Sequence, residues 1–239
     1  MDKIFIKEFL EDQVGVKIED IKLGDFDIIG EYTAKKNRGQ NSDLYREVGC
    51  FFRPNYERGI LMYHLIKKHR IESVLEIGFG RGYSAFCMAK AMCDFGIDGK
   101  ITTVDPNFNK DLLNQLTNIF PKVWFEKIEF VSGTSDQFFN TRNADKYDFI
   151  YIDGDHRYEY VKNDWENCKD KFNKFLLFDD YIDKKRAVKD IECSQLIDKI
   201  SEEEFDKNLI IMDRRIFFDD RRISDDEIDY GQVLIARKE

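Results

Sequence analysis

The sequence predicts an α/β fold of three layers, built on a mostly parallel seven-stranded sheet whose last strand is antiparallel. Three observations carry this. Short apolar runs recur along the chain: Val74-Leu75-Glu76-Ile77, Ile101-Thr102-Thr103-Val104, Ile128-Glu129-Phe130-Val131, Tyr147 to Ile152, and Phe175-Leu176-Leu177-Phe178. Their near-continuous apolar character is that of strands covered on both faces. Stretches with helical periodicity lie between them, and such alternation is the pattern of a parallel sheet with crossover helices. The last two runs, Leu209-Ile210-Ile211-Met212 and Val233-Leu234-Ile235-Ala236, flank a charged segment, Asp213 to Tyr230, that reads as a long hairpin connection.

The stretch that organises the chain is Ser73 to Ser84, SVLEIGFGRGYS. A strand runs into glycines at every second position, Gly78, Gly80 and Gly82, and Ala85, Phe86, Met88 and Ala89 then open a helix. Glycine permits positive φ and close approach of a ligand to the main chain. The helix directs its first N–H groups back at the turn, so the geometry is that of a nucleotide-type site at the carboxyl end of a strand in a Rossmann-like sheet. A dinucleotide fingerprint, G-x-G-x-x-G, needs its third glycine at position 83. Tyr83 stands there and Gly82 comes one residue early.

The remaining elements follow in order. Phe5, Phe9 and Leu10 read as one short helix, and Ile18, Ile21 and Leu23 as another. Residues 34–41, AKKNRGQN, read as a polar loop. Residues 1–45 are therefore taken as an N-terminal extension, either a lid or a packing arm, and 46–239 as the main domain. Tyr56 to Lys68 is a helix with an apolar face at Ile60, Leu61 and Leu65, and basic residues at its carboxyl end suit the helix dipole. His64 and His69 read as ordinary core-edge or surface histidines. The helix after the glycine turn runs to about Met92, Leu112 to Phe120 is helical and is closed by Pro121, and Ser194 to Ile200 is helical.

Candidate chemistry collects at the strand ends. Asp105 closes the second strand of the glycine unit, where an acid can accept from both ribose hydroxyls of an adenosine ligand. Thr134 and Ser135 follow the third strand in a small polar turn, SGTSD, and either could also cap a helix. The fourth strand ends in Asp153-Gly154-Asp155-His156 and the fifth in Asp179-Asp180-Tyr181. Adjacent parallel strands would bring these acids to one edge, where they would repel unless compensated. A hard cation with oxygen ligands, such as Mg²⁺, is the usual remedy, and solvent-facing helix caps are the other reading of Asp155 and Asp180.

The E-x-G-x-G-x-G pattern from Glu76 resembles motif I of the class I S-adenosylmethionine (SAM) methyltransferases. IDGDH with FDDY resembles the metal-dependent sugar O-methyltransferases of the macrocin O-methyltransferase group and, more loosely, catechol O-methyltransferase. The resemblance covers about residues 70–182. It implies SAM held by Glu76, Gly78, Gly80, Gly82, Ser84, Asp105, Thr134, Ser135 and Asp153, with Thr134 and Ser135 bordering the adenine. It implies Mg²⁺ on Asp153, Asp179 and Asp180, and Asp155 or His156 as the base. The macrocin group's D-x-Y-x-S-T continuation is replaced here by His156-Arg157-Tyr158-Glu159-Tyr160, so the acceptor hydroxyl belongs to a sugar or to another small molecule.

Bulk properties narrow the alternatives. An apolar content of 42% in 239 residues supports a globular chain with a sizeable core. No run approaches the roughly 18–20 apolar residues of a membrane span, and no signal peptide is apparent. The five cysteines, Cys50, Cys87, Cys93, Cys168 and Cys193, are scattered without a C-x-x-C pair, which fits reduced thiols and a cytoplasmic location. A formal charge of -9 argues against nucleic acid as partner. The N/D-P-P-Y/F motif typical of nucleic-acid amino-methylating enzymes is absent after the fourth strand. A nucleotide-dependent oxidoreductase and a non-catalytic binding subunit of the same fold are the competing readings, and a homo-oligomer is compatible with the sequence.

Overall fold

The structure is a computed structural model. It describes residues 1–22, 26, 56–80, 82–108, 110–118, 120–142, 145–182, 191–212 and 230–238. The polar loop read at 34–41, Leu23, Arg81, Cys50 and most of the 213–230 connection lie outside the described residues.

Among the described residues, eight strands form one sheet: β1 (Asp2–Phe5), β2 (Ser73–Ile77), β3 (Lys100–Asp105), β4 (Ile128–Ser132), β5 (Tyr147–Ile152), β6 (Phe172–Ile182), β7 (Phe205–Ile211) and β8 (Tyr230–Arg237). Their order is β1-β7-β8-β6-β5-β2-β3-β4. Of these, β8 alone runs against its neighbours, β6 and β7. The main helices are α1 (Tyr56–His69), α2 (Tyr83–Asp94), α3 (Lys110–Thr117), α4 (Lys122–Phe125), α5 (Ser135–Thr141), α6 (Tyr158–Cys168) and α7 (Cys193–Ile197). One apolar cluster joins α1, α2 and the N-terminal segment to one face of the sheet, and a second joins α5, α6 and α7 to the other. This is the expected three-layer architecture.

The described sheet has eight strands where the sequence pattern predicts seven. The additional strand, β1, pairs parallel with β7 at the sheet's edge. It is only four residues long and half solvated, so alternation gives it little signal, and its Phe5 has the spacing of a helical residue instead. The helical part begins one residue later: a single α turn, Ile6–Glu8, passes into a π-helical segment, Phe9–Val14. Ile6 and Leu10 are wholly buried in the cluster that contains the α1 face, and with Phe9 and Val14 they bring the apolar side of this segment into the core.

Register explains why the strand ends form one site. Ile77 pairs with Val104 and Ile152, Val104 with Val131, and Ile152 with Phe178. The residues that follow each of these leave the sheet at one level. Glycine turn, Asp105, the Thr134 turn, the Asp153 loop and the Asp179 pair therefore share one edge. Ligands of open parallel sheets bind outside such carboxyl ends.

Because Leu10 is wholly buried where the N-terminal segment meets α1, Leu10→Ala is expected to lower unfolding free energy by about 3 kcal/mol, within the usual range for a buried leucine. Urea unfolding measures this, and a loss below about 1 kcal/mol would show that the segment lies on the core rather than in it.

Candidate active site

The glycine turn is held from two sides. The Gly78 N–H donates to the Val104 carbonyl at 2.9 Å, and the Asp153 N–H donates to the Ile77 carbonyl at 2.8 Å. The three glycines differ in purpose. Gly78 has φ +91°, and a Cβ there would lie 2.1 Å from the Asp153 carbonyl oxygen, so two loop backbones meet at this point. A Cβ at Gly82 would strike the ring of Phe79. At Gly80, φ is +54° and a Cβ would meet no described atom within 4 Å, so the middle glycine is the one that faces open space.

Glu76 and Asp105 brace the same turn. Glu76 is fully buried and accepts from the hydroxyls of Ser84 and Thr103, the latter at 2.6 Å. Burial pushes its carboxyl up to about 7, against the pull of those two hydroxyls. Asp105 Oδ2 accepts from the N–H groups of Phe79 at 3.0 Å and Gly80 at 3.2 Å, and Oδ1 from that of Asn107 at 2.7 Å. The acid expected at the ribose is thus also the staple of the turn. Phe79 packs with Phe108 and Phe130, ring centroids 4.9 and 5.5 Å away, in an aromatic group that no sequence motif marks.

Thr134 is the N-cap of α5 in a capping box: its Oγ1 accepts from Gln137 N–H at 3.3 Å, and Gln137 Oε1 accepts from Thr134 N–H at 2.9 Å. Ser135 donates to Asp164 of α6, a buried carboxyl pushed up to about 6 by desolvation. Asp164 also lies beside Gly154, which ties the Thr134 turn to the Asp153 loop.

The acidic residues separate into distinct environments. Asp179 is buried; its Oδ1 accepts from Gln232 Nε2 at 2.9 Å and its Oδ2 from Arg58 Nη2. Arg58 Nη1 donates to Asp153 at 2.9 Å, and the Tyr151 hydroxyl donates to the same Asp153 oxygen at 3.2 Å. Burial pushes Asp153 well above the usual carboxylate range; Arg58 pulls it down, while Asp179 and Asp180 push it further up. Asp180 has φ +53° at an irregularity in the β6–β8 pairing, and faces His156 Nε2 at 3.3 Å instead. One ligand atom each from Asp153, His156 and Asp180 lies within 4.8 Å of the others. Among the described residues, that trio, rather than the expected set with Asp179, is the group drawn close enough to hold one ion. Asp155 is exposed and paired with Arg157, whose Nε lies 2.9 Å away and whose guanidinium lowers the carboxyl below its ordinary range. His156 Nδ1 lies 3.7 Å from Cys193 Sγ.

Sequence reasoning misses Arg58 and Gln232. Gln232 is a lone polar residue in an apolar strand. Arg58 does carry a signal once its helix is seen: Glu57, Gly59, Ile60, Leu61 and Met62 around it are all buried, so α1 is enclosed on nearly every side and a charge in its first turns must find a partner inside. His64 sits beside Tyr63, ring centroids 5.1 Å apart, and burial lowers it to about 4, as suits a packed core histidine.

Residues 75–181 match the family model described as a methyltransferase domain. That segment, a little under half of the chain, holds the glycine turn, Asp105 and the acidic ends of β5 and β6. The chain is similar in fold to the O-methyltransferase TomG of Streptomyces achromogenes, solved with SAM, at 13% identity and TM-score 0.58, with 89% of this chain and 90% of that one covered. An O-methyltransferase of Bacillus cereus solved with SAH gives 13% identity and TM-score 0.58 over 98% and 97% of the two chains. A putative caffeoyl-CoA O-methyltransferase of Staphylococcus aureus gives 18% and 0.53 over 87% and 98%. No curated protein sequence matches the chain. Among the described residues, no helix is long and apolar enough to cross a membrane.

Two outcomes follow from this geometry. Gly78→Ala forces backbone against backbone and is expected to destabilise by more than about 3 kcal/mol, whereas Gly80→Ala meets open space and costs about 1–2 kcal/mol for the left-handed conformation. Equal losses in chemical denaturation would contradict the division of roles. For Glu76, the folded carboxyl holds its proton to about pH 7 while the unfolded one releases it near 4.5, so the native state binds more protons between these values and stability falls as pH rises through that window. Glu76→Gln keeps the shape and removes the titration. Its stability relative to wild type should improve from pH 5 to pH 8 by about 3 kcal/mol, and a pH-independent difference would refute the assignment.

Proposed function

We propose that the chain is an O-methyltransferase that binds SAM at the Gly78–Gly82 turn and methylates a hydroxyl of a sugar or other small molecule presented at the ends of β5 and β6. The observation that carries this is the level register of β2, β5 and β6, which sets the open backbone of Gly80 at the same sheet edge as the Asp153–His156–Asp180 group. The likeness to O-methyltransferases of known structure supports the choice of oxygen as acceptor.

SAM supplies an electrophilic methyl group on a sulfonium leaving group that needs no proton. The protein's task lies with the acceptor, since a neutral alcohol is a weak nucleophile. Gly80 leaves room for the cofactor, Asp105 offers its carboxylate at the ribose end, and Thr134 and Ser135 border the adenine side. His156 accepts the hydroxyl proton. Asp180 lies 3.3 Å from its Nε2 and orients the ring. Asp155 is the weaker candidate, because Arg157 already holds it as an exposed ion pair.

The donor chemistry fits a divalent cation. Mg²⁺ takes one or two carboxylates and completes its shell with water and substrate oxygens. Asp153 and Asp180 would hold it: Arg58 and Tyr151 share a single oxygen of Asp153, whereas both oxygens of Asp179 are engaged, by Arg58 and Gln232. When bound, the ion would lower the pKa of an acceptor oxygen and fix its position.

The test is calorimetry with SAM and with NAD, followed by a screen of sugars and catechols for SAM-dependent methylation. SAM is expected to bind the more tightly, and tighter binding of NAD would favour the oxidoreductase reading and end this one. With an acceptor in hand, His156→Asn should lower kcat by about 10²-fold or more, the usual share of a general base, with the SAM dissociation constant unchanged. Excess chelator should lower turnover, and added Mg²⁺ should restore it. Full activity in chelator would remove the ion from the mechanism.

A further inference from the structure

The acidic ends of β5 and β6 face one residue of α1 to which the motifs give no role. We propose that Arg58 is the resident cation of this site: its guanidinium takes the bridging place between Asp153 and Asp179, so that a divalent ion can engage either carboxylate only in competition with it.

The contact is two-armed. Nη1 reaches Asp153 at the end of β5, and Nη2 reaches Asp179 in β6. A planar guanidinium has the donor spacing to serve two oxygens at once, which an ammonium lacks. The position is enclosed as well. Asp179's side chain has 0% exposure and those of Arg58 and Asp153 have 19% and 17%. In such surroundings the removal of one partner leaves an uncompensated charge, the most damaging way to break an ion pair.

The backbone around Arg58 is fixed. The next residue, Gly59, lies so close to α2 that a Cβ there would stand 2.6 Å from the Tyr83 hydroxyl. Helix α1 is thus seated on the helix that follows the glycine turn, and Arg58 is carried over the strand ends. Gln232 donates to the other Asp179 oxygen at 2.9 Å, so that carboxylate is held from both sides. Asp180 is turned out of this arrangement by its positive φ and looks to His156. The acidic end therefore has an internal counter-charge on Asp153 and Asp179, and a second pair, Asp180 with His156, beside it.

The pairing half of this proposal stands by itself. The competition half rests on the divalent-ion reading of the preceding subsection, and the experiment separates the two. Wild type, Arg58→Met and Arg58→Lys are melted in excess chelator, and each is titrated with Mn²⁺ by calorimetry. Arg58→Met should melt at least about 6 °C below wild type in chelator, because a buried carboxylate pair loses its cation. Arg58→Lys, which keeps the charge without the fork, should fall between. Arg58→Met should bind Mn²⁺ about tenfold more tightly than wild type, since a positive charge no longer opposes the ion. A merely structural residue would weaken that binding when replaced.

An unchanged melting temperature in Arg58→Met overturns the proposal. So does Mn²⁺ affinity that is equal or weaker, a result that leaves the ion reading intact if wild type binds. Mn²⁺ binding gained in Arg58→Met and absent from wild type supports the proposal and overturns the ion reading instead. Should Arg58→Met not fold, the Arg58→Met/Asp179→Asn double variant decides. Its recovery of folding supports charge compensation, and its failure refutes it.

Discussion

Carboxylates gathered at the ends of parallel strands set the constraint on which this structure depends. Two like charges 4 Å apart repel by about 4 kcal/mol at the effective dielectric of a partly enclosed site. Here Glu76, Asp105, Asp153, Asp164 and Asp179 all lie at or behind one sheet edge. Each is relieved by a donor within the fold. Hydroxyls serve Glu76, main-chain N–H groups serve Asp105, Ser135 serves Asp164, and the guanidinium of Arg58 serves Asp153 and Asp179 together. Burial leaves Glu76, Asp164 and Asp153 with raised proton affinity, and in Asp153 the guanidinium pulls against that burial and against its acidic neighbours. The full positive charge stands where two acids adjoin.

The sheet and the site's location are legible in the sequence because both rest on local signals. Apolar runs of strand length mark β2 to β8, and turn residues at their ends mark the edge. What is not legible depends on partners far apart in sequence. Arg58 meets Asp153 and Asp179 across separations of 95 and 121 residues, and no spacing rule joins an α1 residue to a strand end. β1 escapes because a four-residue edge strand offers only two positions per face. Asp179 and Asp180 look like one ligand unit in sequence, although successive side chains of a strand point to opposite faces. A bulge and a positive φ at Asp180 complete the separation, so one acid enters the interior and its neighbour turns to the loop.

The glycine motif shows a related limit. Three glycines in alternation look equivalent in sequence, yet the structure uses them for backbone contact, aromatic packing and open access. Only the middle one has the space a ligand needs. The outer two fix where that space lies, since Gly78 locks the turn to the Asp153 loop and Gly82 lets Phe79 fold beside it. A motif of this kind records a fold requirement twice for each time it records a binding requirement.

Asp105 joins these two kinds of requirement in one side chain. Its Oδ2 holds the N–H groups of Phe79 and Gly80, and its Oδ1 holds that of Asn107. A carboxylate offers about four acceptor positions, so three bonds to the main chain leave one for a ligand hydroxyl. The turn beside Gly80 is then shaped by the same group that would receive the ribose. The amides of Phe79 and Gly80 are held by the carboxylate itself, which lowers the ordering cost for a ligand bound beside them. The same economy means that loss of the carboxylate would loosen the turn and, on the proposed function, remove the ribose acceptor at once. A binding defect at Asp105 therefore measures both effects, and because Asp105→Asn would set an amide NH₂ against one of the main-chain donors, its unfolding free energy is the measurement that tells the loosened turn from the lost acceptor.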